Sequence, residues 1–314
     1  MSDQKKQSTR DGFGQGLVEA AQKNPQIVGL CADLTESTRM EAFAKAFPER
    51  FIEVGVAEQN LAGLAAGFAL AGKVPFAASY ACFHPANSWG VIRSSICYSN
   101  LNVKIVGGHA GLVTGADGAT HQSLEDIATM RVLPNMTVIV PCDAEEARKA
   151  TLALAEHTGP VYLRTSKYDI LPLTTPETPF QIGRAVTLQS GSDATIIACG
   201  SLVSEALFAA QKLAQQNISV RVINMHTIKP LDWEAVLLAA RETKAIITLE
   251  DHQAVGGLGS AIAEVLAQSR LRPAFHSMGV ADSFGESGTA AELLEKHHLT
   301  APHIVTQLDV LLHA

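Results

Sequence analysis

Two segments of this 314-residue chain combine residue types that suit chemistry. In Gly55 to Asn60 (GVAEQN) a single carboxylate, Glu58, stands among small and apolar neighbours where an extended run passes into a helical one. A carboxyl in such a place, if buried, has its pKa raised and can hold or share a proton near neutrality. The same glutamate also suits a plain structural role, because the helix dipole favours acids in a first turn. The second segment begins at Lys104 (KIVGGHAGLVTGADGATHQ), an apolar run that opens into a glycine-rich loop holding His109, Asp117 and His121. Polar groups gathered beyond the carboxyl end of a strand are where open α/β sheets bind ligands. Three polar residues in a loop fit simple solvation as well. Their spacing is not that of metal ligands, so no metal site is expected within this chain.

Such groups need elements to hold them. Short apolar, β-branched runs alternate with stretches of helical period, the pattern of βα units on a parallel sheet. The spacing predicts strands near 27–32, 74–79, 103–107, 137–141 and 161–165, with helices near 11–23, 57–71, 86–99, 122–131 and 144–156. Asp143 suits the N-cap of the last of these, with Glu145 and Glu146 in its first turn. Between Lys167 and Gly183 the period lapses into a proline-rich stretch that reads as a linker. A second α/β unit follows, with strands near 194–198, 219–224 and 245–249, helices near 202–216 and 231–242, and a further helix after Gly259. The chain therefore divides into a domain over 1–170, a linker over 171–190 and a second domain over 191–314. The expected fold class is α/β, two consecutive three-layer αβα domains with mainly parallel sheets. No internal repeat or low-complexity segment interrupts it.

Composition narrows the function. A net charge of −7 gives no basic surface for a nucleic-acid backbone. The amino terminus lacks the apolar core of a signal peptide, and no stretch reaches the ~18 apolar residues of a membrane span, so a cytoplasmic protein is expected. With 47% hydrophobic and 18% charged residues the chain is more apolar than an ordinary soluble domain, which suits burial in a subunit interface. Cys31, Cys82, Cys97, Cys142 and Cys199 show no CxxC spacing and read as small core residues; Cys82 differs in lying within the segment assigned below to a cofactor pocket. The glycines of AVGGLGSAIAEVL, from Ala254, lack the GxGxxG register of a dinucleotide site and read as close helix–sheet packing.

Over essentially its whole length the chain resembles the pyrimidine-binding and carboxy-terminal domains of transketolases. The matching stretches are TRDG from Thr9, CADLTEST from Cys31, GVAEQN, SYACF from Ser79, GHAGLVTGADGATHQ with RVLPN after it, and YLRTSK from Tyr162. The resemblance implies thiamine diphosphate as cofactor. Glu58 matches the glutamate that contacts the aminopyrimidine nitrogen, favouring the imino tautomer that draws the proton from the thiazolium carbon. Tyr80 and Phe83 match the aromatics packed on the pyrimidine ring, and Asp33 a residue that organises the interface near the cofactor. His109, Asp117 and His121 match groups that hold sugar hydroxyls and move protons around the C1 and C2 oxygens. Arg10, Ser37 and Arg164 match a grip on a terminal phosphate.

One part of the family's site is missing from the sequence. The GDG segment and following asparagine that bind the cofactor diphosphate and Mg²⁺ do not occur. The resemblance therefore implies a split transketolase, this chain being the carboxy-terminal subunit, inactive alone and paired in an α2β2 tetramer with a subunit that carries the diphosphate and Mg²⁺ site. The reaction implied is transfer of a glycolaldehyde unit from a ketose phosphate to an aldose phosphate. The donor is xylulose 5-phosphate of the pentose phosphate pathway or a catabolic ketose phosphate such as apulose 4-phosphate. The substrate loop speaks against the beta subunit of a 2-oxo acid dehydrogenase first component. A deoxyxylulose phosphate synthase shares that loop but is normally one long chain, and a non-catalytic scaffold has no need of Glu58, Asp117 and His121 together.

Overall fold

The computed structural model describes residues 5–313. The first half contains α1 (Thr9–Lys23), β1 (Ile27–Cys31), α2 (Glu41–Ala46), β2 (Phe51–Glu53), α3 (Glu58–Leu70) and β3 (Val74–Tyr80). It continues with α4 (Trp89–Val91), β4 (Lys104–Gly108), α5 (Asp126–Arg131), β5 (Thr137–Ile139), α6 (Ala144–Glu156) and β6 (Val161–Arg164). The second half contains β7 (Val186–Gln189), β8 (Ala194–Ala198), α7 (Val203–Ala214), β9 (Val220–Asn224), β10 (Thr227–Lys229) and α8 (Trp233–Glu242). It ends with β11 (Ala245–Gln253), α9 (Leu258–Gln268), β12 (Ala274–Val280), α10 (Ala290–Lys296) and α11 (Ala301–His313).

The strands form two sheets, ordered β10-β5-β6-β4-β3-β1-β2 and β12-β11-β8-β9-β7. Every pairing is parallel except β10 with β5 and β7 with β9. Both faces of β1 are buried, so its run carries no alternation with polar residues. Ile27 packs with Phe13 and Leu17 of α1 and Leu154 of α6 on one face; Val28 and Leu30 pack with Leu61 and Ala65 of α3 on the other. The second sheet is covered by α7 and α11 on one face and by α8 and α9 on the other. Both domains are thus α/β sandwiches of three layers, and the cluster that holds α3 also holds Ile223, Ile228 and Ile262 of the second half.

Asp143 caps α6 as expected, accepting the Glu146 N–H at 2.8 Å, and does more. It also accepts the Leu173 and Thr174 N–H groups at 2.7 and 2.6 Å, which pins the proline-rich stretch to the first domain. At α9, Gly257 and Gly259 allow close packing: a Cβ on residue 259 would meet Cβ of Ser277 at 2.7 Å. The buried Glu250 carboxylate fills that helix N-terminus, accepting the Leu258 and Gly259 N–H groups at 2.7 and 2.8 Å.

Three local expectations need correction, and one strand was not foreseen. The helix expected over 86–99 is a 3₁₀ turn (Ala86–Ser88), the short α4 and a π-helical turn (Ile92–Cys97), in which Tyr98 N–H reaches the Arg93 carbonyl five residues back. The helix expected over 122–131 begins only at Asp126, because Ser123 is held extended by its bridge to Ala110. The stretch read as linker, 171–190, contains β7. β10, from the second half of the chain, is an edge strand of the first sheet.

Candidate active site

β6, β4, β3 and β1 are neighbours, so the segments after their carboxyl ends converge. They bring His109, Tyr80, Phe83, His121 and Ser37 together, and Arg10 joins them from the first turn of α1. The Tyr80 ring stacks on His109 with centroids 3.8 Å apart and on Phe83 at 5.9 Å. His121 stands edge-on to both aromatics, at 6.2 Å from Tyr80 and 5.5 Å from Phe83. Arg10 donates to the Ser37 carbonyl at 3.0 Å, and the same nitrogen lies 3.4 Å from Nε2 of His109. Here Ser37 contributes its backbone. Asp117 pairs with Lys167 at 2.6 Å.

His109 is 3% exposed, at φ +52°, and its carbonyl accepts the Thr114 hydroxyl at 2.5 Å. Burial, helped by the Arg10 guanidinium, pushes its pKa down to about 3, so it is a neutral imidazole. Nδ1 of His109 is buried without a hydrogen-bond partner among the described residues. Nε2 faces the Arg10 donor, so the proton of the neutral ring sits on Nδ1, which can donate a hydrogen bond to a substrate oxygen.

Glu58 is the first residue of α3 and is half-buried. Its carboxylate makes no hydrogen bond among the described residues. Its neighbour Gln59 donates to the Asn87 carbonyl at 3.2 Å, tying the start of α3 to the segment after Phe83. The thiol of Cys82, between the two aromatics, is pushed up to about 12, first by burial and then by the charges of Glu125, Glu58 and Asp126. A carboxylate without a partner and a stacked aromatic pair on one rim fit the donor nitrogen and flat face of an aminopyrimidine. Among the described residues no group of three or more His, Cys, Asp or Glu side chains could hold a metal ion.

Arg164 does not join this cluster. Its side chain is 7% exposed, donates from Nε to Asp126 at 2.8 Å, and reaches the Ser123 and Asp251 carbonyls at 3.3 and 2.8 Å. The Tyr162 hydroxyl donates to the same Asp126 oxygen at 2.5 Å. With Nε and Nη2 bonded to buried partners, Arg164 braces the loop against the second half of the chain, a structural task in place of the phosphate grip expected for it. The cation that does reach the loop is Lys167, three residues on. Sequence reasoning missed it because one basic residue in YLRTSK sufficed for the match.

Glu53, at the end of β2, was also missed. Its carboxylate accepts the Asp33 N–H at 2.7 Å, the Gly55 N–H at 3.0 Å and the Thr35 hydroxyl at 2.8 Å. It ties the loop holding Asp33, which sits at φ +57°, to the turn holding Glu58. An acid beside a glycine turn at a strand end was the available signal.

A family model for the transketolase pyrimidine-binding domain matches residues 5–171, and one for the transketolase C-terminal domain matches 183–304. A solved structure described as a split gene transketolase, inactive beta4 tetramer, is 45% identical, with a TM-score of 0.89 over 98% of each chain. A 6-deoxy-6-sulfo-D-fructose transketolase subunit from Clostridium sp. is 43% identical over 94% of this chain and 92% of its own length. An apulose-4-phosphate transketolase subunit from Phocaeicola vulgatus is 38% identical over 92% and 93%.

Proposed function

The chain belongs to the transketolase family, of which it carries the pyrimidine-binding and C-terminal domains, and we propose that it is the carboxy-terminal subunit of a two-chain, thiamine-diphosphate-dependent transketolase. The observation that carries this reading is the convergence of Arg10, His109, Tyr80, Phe83 and His121 on one sheet edge. The cofactor supplies a nucleophilic carbon that takes up the two-carbon unit. Glu58 holds a proton at the aminopyrimidine ring nitrogen, and Tyr80 and Phe83 stack on that ring. The neutral His109, with His121, hydrogen-bonds and exchanges protons at the donor's C1 and C2 oxygens; Asp117 accepts from sugar hydroxyls. General acid–base help of this kind contributes about 10²–10⁴-fold. Asp33 orders the loop at the cofactor interface through its tie to Glu53.

Arg10, Lys167 and the Ser37 segment take the anionic end of the sugar. The two relatives named for a donor are named for ketoses with such an end, a sulfonate in one and a phosphate in the other. The substrate class is accordingly a ketose with a terminal phosphate, xylulose 5-phosphate or a catabolic ketose such as apulose 4-phosphate, with an aldose phosphate as acceptor. Mg²⁺ and the cofactor diphosphate are held by the partner subunit, and the assembly is α2β2. No helix among the described residues is long and apolar enough to cross a membrane. The test is a panel of ketose phosphates given to the reconstituted pair with thiamine diphosphate, Mg²⁺ and ribose 5-phosphate. Ketol transfer from at least one is expected; release of CO₂ from 2-oxo acids with no ketol transfer overturns the reading.

A further inference from the structure

We propose that the C-terminal domain holds the substrate loop in its working shape, with Asp251 as the positioning residue and Gln122 as a second anchor. The inference rests on the assignment of His109, Asp117 and His121 to the substrate. All three lie in the loop between β4 and α5, around a 3₁₀ turn at Leu112–Asp117. The leading amides of such a turn have no partner inside it.

The second domain satisfies them. Asp251 on β11, 4% exposed, accepts the Leu112 N–H on Oδ1 at 2.8 Å and the Val113 N–H on Oδ2 at 3.2 Å. Residue 111 must be glycine for this: its φ is +90°, and a Cβ there would lie 2.0 Å from Oδ2 of Asp251. At the far end Gln122 donates to the Gly115 carbonyl at 2.9 Å and to the Glu286 carbonyl of the second domain at 2.8 Å. The Gln253 N–H donates to the Leu124 carbonyl at 2.8 Å, and Arg164 joins the Ser123 and Asp251 carbonyls. His109 and Asp117 make no bond to the second domain among the described residues, so Asp251 acts on them only through the loop. Both ends of the segment carrying the catalytic histidines are fastened to a domain that offers no reacting group. A displacement of about 1 Å at a reacting group can cost on the order of 10²-fold in rate.

The test uses the complex with the partner subunit. In Asp251→Asn one oxygen becomes an NH₂ that faces a backbone N–H, so one loop amide loses its acceptor. Ketol-transfer kcat is expected to fall by about tenfold or more, with faster hydrogen exchange of amides 111–118. Thiamine diphosphate affinity, which depends on Glu58, Tyr80 and Phe83, is expected to stay within about twofold, as is usual for a group with no contact to the ligand. Unchanged loop exchange overturns the proposal, and so does a kcat loss matched by equal loss of cofactor affinity, which would mark general damage. If Asp251→Asn does not fold, Gln122→Leu removes the other anchor and is read the same way. A wild-type pair without ketol transfer would overturn the functional reading, while loop exchange still decides the tether.

Discussion

Replacing Arg164 by Met keeps most of the side-chain volume and removes the guanidinium from a buried site. The Asp126 carboxylate, 1% exposed, then keeps only the Tyr162 hydroxyl as a donor. Breaking one side of a buried ion pair costs about 3–5 kcal/mol, because the remaining charge is stranded. The Ser123 and Asp251 carbonyls lose donors as well, at roughly 0.5–1.5 kcal/mol each. A loss of about 4–8 kcal/mol follows, and at about 2–4 °C per kcal/mol for domains of this size the melting temperature drops by roughly 8–32 °C. Thermal unfolding followed by circular dichroism reads it directly. Adding Asp126→Leu should return part of the loss, since the two changes are coupled and the stranded charge is gone. A melting temperature within about 2 °C of wild type, with a raised KM for phosphorylated sugars, would refute the reasoning and return Arg164 to the substrate.

Glu58→Gln keeps the shape of a half-buried side chain that makes no hydrogen bond among the described residues, so melting stays unchanged while kcat falls by about 10²-fold or more; equal losses in both would show a structural residue. Glu53→Gln weakens the bonds to Asp33, Thr35 and Gly55, and a loss of about 1–2 kcal/mol should loosen thiamine diphosphate binding to the pair by about 5–30-fold in calorimetry, leaving the KM for the sugar acceptor unmoved. His84 is wholly buried, which pushes its pKa down to about 3, so it is neutral in the fold and protonates more readily when unfolded. Its share of stability is intact above pH ~6.5 and is lost as the pH falls towards its folded value, reaching about 2 kcal/mol at pH 5. Urea unfolding of wild type and His84→Asn at pH 7 and pH 5 checks it, the variant losing less on acidification.

The parts of the fold visible in the sequence are those set by local pattern. The runs at 27–32 and 245–249 read as strands because a parallel strand buried on both faces is uniformly apolar, and the loop after Gly108 read as a site because it follows such a run. What escaped depends on distant partners. Arg164 at a strand end looks like a ligand-binding cation; its place is decided by Asp126 and by the Asp251 carbonyl, far off in the chain. β10 is three residues long and takes its identity from the edge of β5 that it covers. The segment after Phe83 has helical composition, yet it breaks into three kinds of turn between Ala86 and Cys97. Glu53 and Lys167 were passed over because each does its work across a gap between loops.

If this chain holds half of a catalytic site, activity must titrate with the subunit that holds the other half. Ketol transfer is measured at fixed concentration of this chain while the subunit carrying the diphosphate site is added, with thiamine diphosphate and Mg²⁺ in excess. Neither chain should be active alone, activity should rise to a plateau at equal amounts of the two, and Glu58→Ala should assemble normally and stay flat. Full activity of either chain by itself, or a Glu58→Ala pair as active as wild type, would contradict the account.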